Sequence, residues 1–128
     1  MYRWSGGRFG LQRAKPDKEG LAEMTTIGHR SGLERSVMFA YFEDGDDLVT
    51  MAMNGWSPGD PAWWKNLKAN PDATVVTVDG SRRMIGRVAT AGEEHDRLWE
   101  RWRELDKWVD RNAVRRPEGT PVVILSPA

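Results

Sequence analysis

The segment Gly28-His29-Arg30-Ser31-Gly32, followed closely by Arg35 and Ser36, gathers three candidate cations, two hydroxyls and flexible backbone N–H groups within a few residues. Guanidinium forks and the N–H groups of a tight turn make a suitable lining for a phosphate. The same residues also make an ordinary solvated hairpin loop, and the pattern matches no P-loop. Spacing alone leaves both readings open.

A second unusual stretch, Ala52 to Trp64 (AMNGWSPGDPAWW), sets Trp56, Trp63 and Trp64 around a Gly/Pro loop that leads into a helix start. Aromatic planes beside free N–H groups suit a flat anionic cofactor, whereas Trp63 or Trp64 could equally pack that helix onto the body of the fold. Trp56, between Gly55 and Ser57-Pro58, reads less easily as core. Trp99, Trp102 and Trp108 lie on or beside the apolar side of a later helix, and such a stripe is core before it is a cofactor box; only Trp108, near the helix end, reads as a pocket wall.

No side chain stands out as a catalyst. His29 and His95 are far apart, His95 sits among Glu93, Glu94 and Asp96, and no Ser-His-Asp set or GxGxxG or GxxxxGK[ST] fingerprint is present. With two histidines in no ligand spacing and no cysteine, no metal centre, disulfide or thiol chemistry is expected. What remains is chemistry supplied by a bound cofactor that the protein orients.

A length of 128 residues fits one compact domain with one core and one pocket. Lys plus Arg and Asp plus Glu both number 19, so no net field draws nucleic acid or an anionic membrane. No apolar run approaches the roughly 20 residues of a membrane span, and the first ten residues lack the apolar middle of a signal peptide. A cytoplasmic protein without an integral membrane segment is expected.

The elements that would position these residues follow from periodicity and turn chemistry. Residues 1–20 show neither period and read as an N-terminal arm on a single domain spanning 21–128. Leu21 to Ile27 reads as a strand, and Arg35 to Glu43 as a strand apolar on both faces, turning at Asp44-Gly45-Asp46 into Leu48 to Met53. Asp60-Pro61 opens a short helix with Asp60 as cap, and Asn70-Pro71 closes it. Ala73 to Val78, the turn Asp79-Gly80 and Met84 to Thr90 form a second hairpin. A capping box, Thr90-Ala91-Gly92-Glu93, begins a longer helix with Leu98, Trp102, Leu105 and Val109 on one face and exposed pairs Glu93/Arg97 and Glu104/Lys107 on the other. Pro121 to Leu125 is a final buried strand, giving about six antiparallel strands, one short helix and one longer helix.

In order and spacing, Thr25 to Arg35 (TTIGHRSGLER), Glu43-Asp44-Gly45, Ala52 to Gly55 (AMNG), Asp60 to Pro71 (DPAWWKNLKANP), Ala89 to Glu94 and Pro121 to Pro127 (PVVILSP) resemble the deazaflavin-dependent nitroreductase family, from about residue 21 to the end. The resemblance implies a split β-barrel, akin to FMN-binding and pyridoxamine-oxidase-like barrels, that holds coenzyme F-420 and passes its hydride to a small organic acceptor: a quinone, a nitro-aromatic or an activated enone. By position, His29, Arg30, Ser31, Arg35 and Ser36 would serve the cofactor phosphate. Val37, Met38, Ala52, Met53 and Asn54 would line the deazaflavin, and Ala62, Trp63, Trp64 and Asn66 would close the site. Phe39 and Trp108 would face the acceptor. The chain departs from the family pattern at His29, where many relatives carry Arg or Lys, and at Met53-Asn54, where they carry a Ser-Lys pair. The resemblance leaves open a monomer or a homodimer, and membrane-surface contact through the arm. A non-catalytic flavin, deazaflavin or lipid carrier, and an FMN-dependent oxidoreductase on the same barrel, are the alternatives.

Overall fold

The computed structural model describes residues 10–53 and 55–128; residues 1–9 of the expected arm and Asn54 lie outside the described residues. The chain order is β1 (Gly20–Ile27), β2 (Glu34–Asp44), β3 (Asp47–Met51), α1 (Ala62–Ala69), β4 (Asp72–Thr77), β5 (Gly80–Val88), α2 (Glu93–Leu105), α3 (Val109–Ala113) and β6 (Val122–Pro127). The strands close into one antiparallel barrel in the order β1-β2-β3-β6-β5-β4, with β4 pairing back onto β1. This is the split β-barrel expected from the sequence.

Alternation along β6 explains how one short strand serves two cores. Val123 and Leu125 join Met24, Leu48, Val75 and Met84 in one cluster, while Val122 and Ile124 face the other way onto Val49, Leu98 and Trp102. Helix α1 closes the first cluster with Trp63, Trp64 and Leu67, and α2 and α3 cover the second. Successive strand residues point to opposite faces, so a continuous apolar run is what a doubly covered strand requires.

Several boundaries differ from expectation for identifiable reasons. Only the second half of β2 is buried on both sides; Glu34 to Ser36 and Met38 are exposed, and this half borders a cavity instead of a core. β5 begins at Gly80, four residues before Met84, because Ser81, Arg82 and Arg83 pair with β4 while facing solvent. The long helix breaks after Leu105, so Val109 reaches the same core from the separate α3.

Neither expected helix cap forms. The residue before α1 is Pro61, and the Asp60 carboxylate instead meets Lys68 at 3.2 Å. At α2 the capping residue is Gly92, with no side-chain cap bond. Glu94, one residue beyond the expected Glu93, accepts the Thr90 N–H at 2.7 Å and both arms of Arg87 at 2.8 and 2.9 Å. The exposed pairs also regroup, Arg97 bonding Asp44 and Glu104 bonding Arg101.

Residues 10–19 are tied to the barrel. Gln12 and Leu21 exchange backbone hydrogen bonds at 3.0 Å, Arg13 pairs with Asp79 at 2.8 Å, and the Pro16 carbonyl accepts from Arg101 at 2.9 Å. At the start of β1, Gly20 lets Tyr41 lie against the backbone: a Cβ there would stand 2.5 Å from the ring Cζ. No helix among the described residues is long and apolar enough to cross a membrane.

Candidate functional site

Residues 28–33 fold into a tight turn between β1 and β2. Gly28 N–H bonds the Leu33 carbonyl at 2.8 Å, Gly32 N–H bonds the Gly28 carbonyl at 2.9 Å, and the Leu33 N–H bonds Ser31 Oγ at 3.1 Å. At Gly28 a Cβ would sit 2.7 Å from Ser31 Oγ and 3.2 Å from the Leu33 carbonyl oxygen, so a side chain there would displace the Ser31 hydroxyl. Gly32 takes φ +73°, a conformation glycine adopts without penalty.

The turn is anchored from α1. Asn66, buried at 3% exposure, accepts the His29 backbone N–H at 2.9 Å and lies 2.7 Å from His29 Nδ1 through the same Oδ1; its Nδ2 donates to Thr26 Oγ1 at 3.1 Å. An amide oxygen can only accept, so the imidazole must donate from Nδ1 and its Nε2 is left available.

A cavity of about 510 Å³ opens between this turn, the exposed half of β2, Met53 and α1. It brings together most of the residues singled out in the sequence. His29, Arg30, Ser31, Arg35 and Ser36 line one part, Val37, Met38 and Met53 another, and Ala62, Trp63 and Asn66 the helix side. Arg30 and Arg35 are the charged side chains in this lining, and among the described residues neither is within ion-pair distance of a carboxylate. A guanidinium pair with no carboxylate in the same cavity wall, beside apolar and indole surface, is a donor set for a ligand with a flat ring and an anionic tail.

Three expected site residues, Ala52, Trp64 and Trp108, lie elsewhere. Ala52 is fully buried in the core, and Trp64 is buried with Lys68 Nζ 5.7 Å above its ring, so neither lines the cavity. Trp108 is half-exposed between Lys107 and Arg111, whose charges lie 5.4 and 5.3 Å from its ring, because the break after α2 turns it away from the barrel. Phe39, expected to face the acceptor and not the cofactor, lines a separate cavity, and Asn54 is outside the described residues. Trp56, expected outside the core, is buried in the second cluster with φ +65°.

Gly28, named with the loop, lines the wall as well, and sequence reading missed Thr26 and Pro61, which flank residues it named. It also missed Arg116. This guanidinium, with no exposed side-chain surface, donates to the Ala52 carbonyl at 2.6 Å and the Gly59 carbonyl at 3.0 Å, bracketing the loop that carries Met53. Its Nε has no partner among the described residues, and Asp60 stands 3.7 Å away.

A second cavity, of about 410 Å³, adjoins the first and shares Met38, Met53 and Trp63 with it. Its remaining wall includes Phe39, Thr50, Trp102 and Leu105, with Glu19 and Asp106 as its charged groups.

A family model described as F420H(2)-dependent quinone reductase matches residues 1–127, further toward the N-terminus than the resemblance seen in the motifs. An F420H(2)-dependent quinone reductase of Mycobacterium tuberculosis is 30% identical, over 98% of this chain and 85% of that protein. A solved F420-H2 dependent reductase is 26% identical with a TM-score of 0.74, covering 90% of this chain and 97% of its own. A FAD-binding protein of Mesorhizobium loti, 13% identical with a TM-score of 0.61 over 84% of this chain and 78% of its own, shares the fold.

Proposed function

Because the chain belongs to the F420H(2)-dependent quinone reductase family, we propose that the 510 Å³ cavity holds coenzyme F-420 and that an organic acceptor, a quinone first, is reduced beside it. The observation that carries this reading is the charge and shape of the lining. Arg30, Arg35 and the N–H-rich turn suit the phosphate and carboxylates of the cofactor, and Val37, Met38, Ala62 and Trp63 suit its ring.

The bound reduced deazaflavin supplies a hydride. The chain's own part is to bind, orient and exclude water: the turn fixes the anionic end, the apolar wall sets the ring plane, and the thioethers of Met38 and Met53 with the Trp63 indole border the place where an acceptor approaches. No side chain forms a covalent bond in this scheme. The second cavity, with Phe39 in its wall, takes the acceptor.

Fluorescence titration with oxidised F-420 and, separately, FMN tests the cofactor, and consumption of reduced F-420 on adding menadione tests the reaction. Selective F-420 binding with acceptor-dependent turnover is expected; preference for FMN, or binding without turnover, overturns the reductase reading. Arg30→Ala and Arg35→Ala each remove a charge-assisted contact of about 1.5–3 kcal/mol, so each weakens F-420 binding by roughly ten- to hundredfold.

A further inference from the structure

The two adjoining cavities differ in the sign of their charge. The first has Arg30 and Arg35 in its wall and no carboxylate; the second has Glu19 and Asp106 and no Lys or Arg. Met38, Met53 and Trp63 lie between them.

We propose that Glu19 and Asp106 make the second cavity a site for a planar acceptor without negative charge, and that they discriminate against acceptors bearing a fixed anionic group. The inference rests on the reading of this cavity as the acceptor's place. Its apolar part comes from Phe39 and Trp102, both buried, and from Leu105, which give a flat apolar ring its contacts.

Three features keep the negative potential in place. Among the described residues neither Glu19 nor Asp106 is within 4.0 Å of a cationic side chain, so no ion pair among those residues cancels their charge. Asp106 is the residue that ends α2, and its Oδ1 accepts the Trp108 N–H at 2.9 Å, which fixes the carboxylate there. A helix C-terminus is itself the negative end of the helix dipole, so the end of α2, with Leu105 and Asp106 in the wall, adds to the negative character that the carboxylate gives this cavity.

The arrangement also sorts the ligands. An anionic cofactor is attracted to the first cavity and repelled from the second, so the pair of carboxylates protects the acceptor's place from the cofactor's own tail. Two carboxylates about 7 Å from an anionic substituent, in surroundings close to water, change its affinity by roughly five- to tenfold at low salt.

The test compares menadione with a sulfonated naphthoquinone of the same ring size. Binding to the cofactor-free protein is followed by quenching of tryptophan fluorescence, since Trp63 and Trp102 are in the wall, and KM is measured separately with reduced F-420 present. The wild-type chain is expected to favour the neutral quinone over the sulfonate by roughly five- to tenfold, with the ratio shrinking toward one at about 1 M salt, where the Debye length is about 3 Å. In the double variant Glu19→Gln with Asp106→Asn the ratio shrinks at low salt as well, and F-420 titration of the first cavity reports that the variant is folded. A ratio that responds neither to salt nor to the double variant overturns the charge proposal alone, with turnover of menadione still supporting the acceptor site. A neutral quinone that neither quenches nor is reduced overturns the acceptor site and this proposal together.

Discussion

The side-chain oxygen of Asn66 meets His29 twice, accepting its backbone N–H at 2.9 Å and its Nδ1–H at 2.7 Å. One residue of α1 therefore sets both the path of the β1–β2 turn and the tautomer of its imidazole, while its Nδ2 reaches Thr26 on β1. His29 thus enters the cavity wall with both its backbone and its ring tied to one neutral amide.

Replacing Asn66 with Ala leaves the two His29 N–H groups without their acceptor and the Thr26 hydroxyl oxygen without its donor. Equilibrium unfolding in urea should show a loss of about 1–3 kcal/mol. F-420 affinity should fall in the same variant because the turn loses its anchor. Unchanged stability together with unchanged affinity would show that the turn holds itself.

Arg116→Met retains bulk but removes the donors to the Ala52 and Gly59 carbonyls. Leaving the buried Ala52 carbonyl without its partner costs about 1–3 kcal/mol and the Gly59 carbonyl, on an exposed residue, costs less, so a destabilisation of about 2–4 kcal/mol is expected for the pair. Arg116→Lys cannot span both carbonyls with one ammonium and should recover only part of the loss. Full recovery by lysine would assign the effect to charge alone.

At Gly20 the constraint is space. Alanine would place its Cβ 2.5 Å from Tyr41 Cζ and 2.8 Å from the hydroxyl, so the ring must move. Overpacking of this kind costs about 1–3 kcal/mol, and combining Gly20→Ala with Tyr41→Leu should cost less than the sum of the two single changes. Strict additivity would show that the two positions do not press on each other.

Acid sensitivity should trace in part to Glu94. The Arg87 guanidinium, and next the Thr90 N–H, hold its carboxyl down at about 2, below the ordinary 4.5. A carboxyl depressed in the folded state contributes stability above its unfolded pKa and loses it as pH falls through the folded one. The window here therefore runs from about 4.5 down to about 2. Glu94→Gln should flatten the fall of Tm across that window; a variant curve parallel to wild type would remove Glu94 from the acid response. The pair is partly exposed, so the effect should also shrink with salt.

The strands were legible because each carries its own local signal. Asp44-Gly45 and Asp79-Gly80 mark hairpins, and the apolar run near residue 123 marks a strand buried on both faces. The start of β5 was not legible, since Ser81-Arg82-Arg83 shows no apolar alternation when its pairing partner does the ordering. The cap at α2 was misplaced by one residue because Arg87, on a different element, draws Glu94 into the role expected of Glu93. Most of the first cavity came from contiguous motifs and could be named. The second draws Glu19, Phe39, Thr50 and Asp106 from four distant segments, and Arg116 is one of two adjacent arginines in a loop with no pattern to single it out. Such residues become visible only once the barrel has closed.

The thin partition of Met38, Met53 and Trp63 bears on the order of events as well as on shape. With side-by-side compartments, neither occupant has to depart before the other arrives. On the proposed assignment of the two ligands, donor and acceptor are residents together, and the reduced intermediate of an alternating scheme never has to wait alone in solvent. Initial rates measured while both concentrations vary should then give intersecting reciprocal lines, the pattern of a ternary complex.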